Sequence, residues 1–344
     1  MIMDSIKVLT LISVCISFLL TPLIKKLAFK IKALDIPKDA RKIHKEPIPL
    51  LGGMAIYLSF LITMILKEGP LVKSEVGILL GATIIVVGGL IDDLKDLRPL
   101  FKLAFQVAAA SVLIIFGVEI FRITNPFPIG SDYLNLGFLV VPITILWVVG
   151  VTNALNLIDG VDGLAAGVAF ICSVTIFIIA VLNGRREAAL FTAILSGAIF
   201  GFLPYNFNPA SIFMGDTGAQ LLGFLLAAIS LEGTIKSATT FAIAVPILAF
   251  GLPIYDTLFA MIRRKMNGMP IMQADKGHLH HRLLDMGLSQ RKVVLIMYLI
   301  SAILGGISIV AMQISSTRSY FLLTIVVVII AFAAWKWEFF KHKE

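Results

Sequence analysis

Apolar runs of near-membrane length alternate with short polar stretches along the whole chain. A helix needs about 20 mostly apolar residues to cross a hydrocarbon core. About eleven segments approach that length: 6–24, 50–66, 76–91, 101–121, 136–155, 164–182, 187–204, 218–232, 238–262, 293–313 and 319–337. The pattern predicts an all-α, polytopic integral membrane protein of about eleven transmembrane helices. The ninth segment is unusually long, and Pro246, Gly251 and Pro253 interrupt it, so a kinked span 9 is expected. The first run is too long for the apolar part of a secretory signal and leads into a basic cluster, not a cleavage site. It is expected to be a retained span.

Composition supports that environment. Hydrophobic residues fill 58% of the 344 positions, charged residues 15%, and mean hydropathy is +0.97. Soluble domains average about 45–50% apolar and about 25% charged, so a single aqueous core could not hold this excess. A formal charge of +8 would ordinarily suggest nucleic acid. Here the basic residues sit between apolar runs, where they set orientation against a bilayer, and no nucleic-acid partner is expected.

Lys25, Lys26, Lys30, Lys32, Lys38, Arg41, Lys42 and Lys45 follow span 1; Arg263, Arg264, Lys265, Lys276, Arg282, Arg291 and Lys292 follow span 9. Loops on the other side carry one or two basic residues each. The positive-inside rule therefore places the loops after spans 1, 3, 5, 7 and 9 in the cytoplasm, the N-terminus outside and the C-terminus inside. Cys15 and Cys172 lie in separate apolar runs with no neighbouring ligand pair, so neither a disulfide nor a zinc site is implied.

The polar residues with chemistry segregate to that inner side. Asp92, Asp93 and Asp96 form a DDxxD cluster at the end of span 3. Carboxylates this close repel unless a cation neutralises them, although Lys95 and Arg98 could equally balance a solvated helix end. Asn153, Asn156, Asp159 and Asp162 recur every third residue in an apolar context, so a helical turn would align them in one strip. Gly160 and Gly163 would let a ligand or backbone approach. Asp216 precedes span 8, where a helix N-cap and a metal ligand are competing readings. Phe213 could stack on a base or anchor its loop. His278, His280, His281 and Arg282 suit pyrophosphate or sugar binding; zinc is the rival, without a second ligand pair. Asp256, near the inner end of span 9, fits an ion-pair role as well as a catalytic one.

In their order, these clusters resemble the polyprenyl-phosphate N-acetylhexosamine-1-phosphate transferase family, a glycosyltransferase 4 type. That family pairs DDxxD with NxxNxxDGxDGL, a GD element and a histidine-rich last inner loop. The likeness runs from His44 and Pro49-Leu50-Leu51-Gly52-Gly53 to His281. His278-Leu279-His280-His281-Arg282 and Pro253-Ile254-Tyr255-Asp256-Thr257 resemble the WecA/TagO-like branch, which uses UDP-GlcNAc. The branch using UDP-MurNAc-pentapeptide has three consecutive histidines, absent here.

The resemblance implies a single transmembrane catalytic domain over residues 1–344. Its active site would be formed by cytoplasmic loops at the inner face of the cell membrane, and the protein could form a homodimer. It implies Mg²⁺-dependent transfer of GlcNAc-1-phosphate from UDP-GlcNAc to undecaprenyl or another polyprenyl phosphate, with release of UMP. Mn²⁺ would be a substitute metal, and another UDP-sugar such as UDP-MurNAc-pentapeptide or UDP-GalNAc an alternative donor. Asp216 and Asn156 would hold the metal. Asp92, Asp93, Asp159, His280 and His281 would be catalytic, with Asp92 orienting the lipid phosphate. Lys45, Asn153, Asn156, Asp162, Phe213, His278 and Arg282 would bind substrate. Direct attack by the lipid phosphate is favoured over a covalent aspartyl intermediate, because a phosphate is already ionised near neutral pH. A secondary transporter is the distant alternative, disfavoured because its carboxylates would lie near the midplane.

Overall fold

A computed structural model of the chain describes residues 2–37, 46–124, 133–232, 244–270, 277–314 and 316–336. Its α-helices are α1 (Ile2–Ile31), α2 (Gly52–Ile65), α3 (Lys73–Lys95), α4 (Pro99–Ile115), α5 (Val140–Leu157), α6 (Leu164–Leu182) and α7 (Arg186–Asn206). They continue with α8 (Gly215–Ser230), α9 (Ala244–Ala249), α10 (Gly251–Met266), α11 (Leu279–Asp285), α12 (Gln290–Gln313) and α13 (Ser316–Lys336). Six have the length and apolar composition of a membrane span: α1, α3, α5 with the turn before it, α6, α7 and α12. α2, α4 and residues Phe321–Lys336 of α13 are apolar but shorter. The chain is an all-α, multi-pass membrane protein.

Each predicted segment falls on helix within the described residues, with two differences. Span 9 is two helices: α9 and α10 meet at Phe250. Pro253 stands third in α10, in the first turn, where a missing N–H breaks no ladder bond. Residues 238–243 of that predicted span lie outside the described residues. Hydropathy also missed the seven-residue α11 and two short antiparallel ladders. β1 (Leu34–Asp35) pairs with β2 (Ile48–Pro49), and β3 (Arg122–Thr124) with β4 (Tyr133–Asn135). Such elements are too short to impose a period.

Two packing arrangements position the site. α8 is buried along its whole length except at Asp216, enclosed by α2, α3, α5, α6 and α7. A helix apolar on every side belongs in such a centre, and its first turn becomes a fixed platform. α7 lies against α1 through Gly197 and Gly201, where an added Cβ would meet the carbonyl oxygens of Thr10 at 2.6 Å and Val14 at 2.4 Å. This small-xxx-small spacing lets backbones meet without hydrophobic drive. Ser13 reinforces it by donating to the Ile194 carbonyl at 2.8 Å, while Ser59 of α2 donates to the Ser13 carbonyl at 2.7 Å.

Candidate active site

The site grows from the meeting of three helix ends. Gly53, Gly89 and Gly215 let α2, α3 and α8 touch: a Cβ on Gly53 would lie 2.3 Å from Gly218 N, and one on Gly89 2.4 Å from Thr217 Cα. Gly215 adopts φ +70°, and a Cβ there would strike the Leu50 carbonyl and the Asp93 carboxylate. The strand-like segment before α2 is tied to the loop before α8. Phe213 N donates to Pro49 O (2.8 Å), Gly52 N to Phe213 O (2.9 Å) and Gly53 N to Met214 O (2.9 Å). Phe213 is thereby fixed by its backbone and half-buried.

Asp93 caps α8 from outside. Its carboxylate accepts Asp216 N at 2.8 Å, Thr217 N at 3.3 Å and Thr217 Oγ1 at 2.6 Å. These are the free donors of a helix start, where negative charge is favoured. Asp216 therefore does not cap its own helix; its side chain goes to Lys102. The Lys102 Nζ lies 2.6 Å from Asp216 Oδ2 and 2.6 Å from Asp92 Oδ2, while Asp92 Oδ1 accepts Leu97 N at 2.8 Å. Asp92 is buried, whereas Asp216 keeps 37% of its side-chain surface. That exposed face opens onto a cavity of about 560 Å³ lined by Asp35, Leu50, Asp92, Asp93, Asp96 and Asp216.

Sequence reasoning missed Lys102, absorbing it into an apolar run. The available signal was a lone cation one turn into α4, just after an acidic cluster.

α5 ends at Leu157, so the predicted four-residue strip divides. Asn153 and Asn156 stand on the helix. Asp159 and Asp162 lie in the loop that Gly160 and Gly163 (φ +76°) turn towards α6. Asn153 Nδ2 donates to Gln106 Oε1 at 2.7 Å, and Gln106 Nε2 donates to Gln220 Oε1 at 3.0 Å. This amide cluster lies one helical turn from Lys102, Asn156 and Asp216 on the same three helices. The Asn156 Oδ1 is buried without a hydrogen-bond partner among the described residues. Asp162 accepts Asn208 Nδ2 and Ala210 N, both at 3.0 Å, anchoring the loop before α8. Asp159 is pushed up to about 8, first by burial, then by the charges of Asp216, Asp93 and Asp162.

The histidine segment closes on this loop. His280 is 1% exposed, and both its ring nitrogens lack a hydrogen-bond partner among the described residues. A Cβ on Gly160 would lie 2.6 Å from its Nε2. Burial and then the charge of His281 push His280 down to about 3, so it is neutral near pH 7. His281 sits against it, with ring centroids 4.2 Å apart, and His278 stacks on it at 5.8 Å. Arg282 Nε donates to the Gly277 carbonyl at 3.0 Å. Asp92, Asp93 and Asp216 thus share one corner, Asp159 feels two of them, and the histidines pack beside Asp159's loop. Lys45 lies outside the described residues, as does His44.

The donor chemistry fits a hard cation: several carboxylates, an orphaned amide oxygen and no thiolate. Among the described residues no three Asp, Glu, His or Cys side chains are gathered closely enough to hold a metal alone. Mg²⁺ commonly takes one or two carboxylates and completes its shell with water and substrate phosphates, so this partial set is of the right kind.

Residues 76–234 match the model of glycosyl transferase family 4. The chain is 40% identical over 327 residues to a probable undecaprenyl-phosphate N-acetylglucosaminyl 1-phosphate transferase of Bacillus subtilis, covering 95% of this chain and 90% of that protein. It is 36% identical over 312 residues to a decaprenyl-phosphate N-acetylglucosaminephosphotransferase of Mycobacterium leprae, covering 83% and 78%. It is 26% identical over 291 residues to an undecaprenyl-phosphate alpha-N-acetylglucosaminyl 1-phosphate transferase of Escherichia coli K12, also covering 83% and 78%.

Proposed function

The chain belongs to the polyprenyl-phosphate GlcNAc-1-phosphate transferases of glycosyl transferase family 4. From that premise we propose that it transfers GlcNAc-1-phosphate from UDP-GlcNAc to a polyprenyl phosphate, dependent on Mg²⁺. An oxygen of the lipid phosphate attacks the β-phosphorus of the donor. The bond from that phosphorus to the bridging oxygen breaks, and UMP leaves with the electron pair. The observation that carries this reading is the Lys102 bridge between Asp92 and Asp216 beside a carboxylate-lined cavity.

Lys102 supplies a fixed positive charge where the transferring phosphoryl group gains negative charge, and it needs no reorganisation to do so. Asp92, already neutralised by Lys102 and held by Leu97 N, orients the incoming phosphate and need not become a nucleophile. Asp216 and Asn156 would hold Mg²⁺, which when bound neutralises pyrophosphate charge. His278, His281 and Arg282 bind the donor, and Phe213 stacks on its base. The site faces the cytoplasm in an eleven-span topology with the N-terminus outside, supported by the clustering of basic residues at the site end.

The test is UMP release by purified protein given undecaprenyl phosphate, Mg²⁺ and a donor panel of UDP-GlcNAc, UDP-GalNAc and UDP-MurNAc-pentapeptide, with Asp216→Asn as control. UDP-GlcNAc should be used well ahead of the others. No UMP from any donor would end this reading.

A further inference from the structure

Asp256 is 5% exposed, and both its carboxylate oxygens are engaged. It sits on α10, beyond the break at Phe250, facing the start of the histidine segment. Its Oδ2 lies 2.8 Å from His278 Nδ1, and its Oδ1 accepts Leu279 N at 2.8 Å. The contact spans 22 residues of sequence and two elements. Just before it, Gly277 lies over the buried Arg263: a Cβ there would be 2.2 Å from the guanidinium carbon. The chain is thus pressed onto α10 at Gly277 and bonded to it at His278 and Leu279.

We propose that Asp256 is a positioning residue that fixes the tautomer and orientation of His278 for donor binding. This rests on the reading that His278 contacts the UDP-sugar. An ionised carboxylate only accepts hydrogen bonds, so it holds the imidazole proton on Nδ1. Nε2 is then the ring nitrogen left for a ligand, in one orientation. Carboxylate partners of this kind set which histidine nitrogen meets the ligand. The same carboxylate fixes the first turn of α11, which carries His280, His281 and Arg282, so one buried group registers the whole segment.

Asp256→Asn separates this role from packing, because asparagine has nearly the same shape but only one acceptor oxygen for the two donors. If that oxygen keeps Leu279 N, the amide NH₂ faces His278 Nδ1 and drives the ring to the other tautomer. The readout is UDP-GlcNAc binding by titration calorimetry on the full-length protein in detergent, with thermal unfolding recorded for each variant. Asp256→Asn should weaken donor binding at least about tenfold, and Asp256→Glu should restore most of it. In a His278→Ala background, Asp256→Asn should cost nothing further. Wild-type binding by Asp256→Asn, or an undiminished penalty without His278, would overturn the proposal. So would an equal loss in the Asn and Glu variants that tracks unfolding. Wild-type protein that binds no UDP-sugar would overturn both this proposal and the donor assignment on which it rests.

Discussion

Asp93 accepts the backbone N–H of Asp216 at 2.8 Å, so the second aspartate of DDxxD holds the helix that presents the GD aspartate. The two motifs are 123 residues apart and form one device. Asp93→Ala leaves the first turn of α8 uncapped in a buried setting. It should destabilise the protein by about 1–2 kcal/mol and also lower UMP release. Thermal unfolding in detergent beside the activity assay checks both. An unchanged melting temperature would mean that Asp93 acts on substrate and not on α8.

Lys102→Met leaves Asp92 and Asp216 facing one another without the cation that bridges them. UMP release should fall about 100-fold, as for removal of a preorganised donor in an enzyme site. Lys102→Arg should keep more activity, because the charge remains while the single-point geometry changes. Less than about a threefold loss in the Met variant would remove Lys102 from the chemistry.

The pairing of Asp92 bears equally on the reaction path. A carboxylate ion-paired at 2.6 Å and bonded to Leu97 N is a poor nucleophile. Rapid quenching of enzyme with radiolabelled UDP-GlcNAc and no lipid should therefore trap no phosphosugar on the protein. A stoichiometric adduct on Asp92 would replace direct attack with a two-step path.

Much of this was legible in the sequence. The apolar runs named the membrane class, Pro246 and Pro253 an interruption of span 9 but not its division into two helices, and the clustered aspartates, amides and histidines the candidate site. What escaped was contact through space. Lys102, Gln106 and Gln220 read as isolated polar residues in apolar helices until α4, α5 and α8 are packed together. Asp256 had no visible partner because His278 lies on another element. The expectation of one helical strip from Asn153 to Asp162 failed for a local reason: α5 ends at Leu157, and Asp159 and Asp162 lie in the loop that leads to the Gly163 N-cap of α6.

Asp159 makes stability depend on pH in a direction opposite to most aspartates. Its carboxyl is raised to about 8 without bound metal, against an ordinary value near 4. The native state then binds more protons than the unfolded state between those values, and stability falls as pH rises through that window. Metal-free protein should melt at a lower temperature at pH 8 than at pH 5, and Asp159→Asn should narrow that difference. Mg²⁺ should raise the wild-type melting temperature at pH 8 more than at pH 5, since a cation relieves the same repulsion. A pH-independent melting temperature in metal-free protein would show that the Asp159 carboxyl is not raised.

Gly160 and His280 offer a test of how the two loops share space. The φ of Gly160 lies outside the left-handed region, so alanine meets no backbone strain there. Its Cβ would nevertheless fall 2.6 Å from His280 Nε2, closer than real contacts allow. Gly160→Ala should therefore cost about 1–3 kcal/mol through overpacking. In a His280→Ala background the space is free, and the same substitution should be nearly neutral. The expected coupling in thermal stability is at least about 1 kcal/mol, well above the additive limit for independent sites. Because folding is the readout, loss of a substrate-binding histidine does not confuse the result. Simple additivity would mean that the DGxDG loop and the histidine segment do not touch as described.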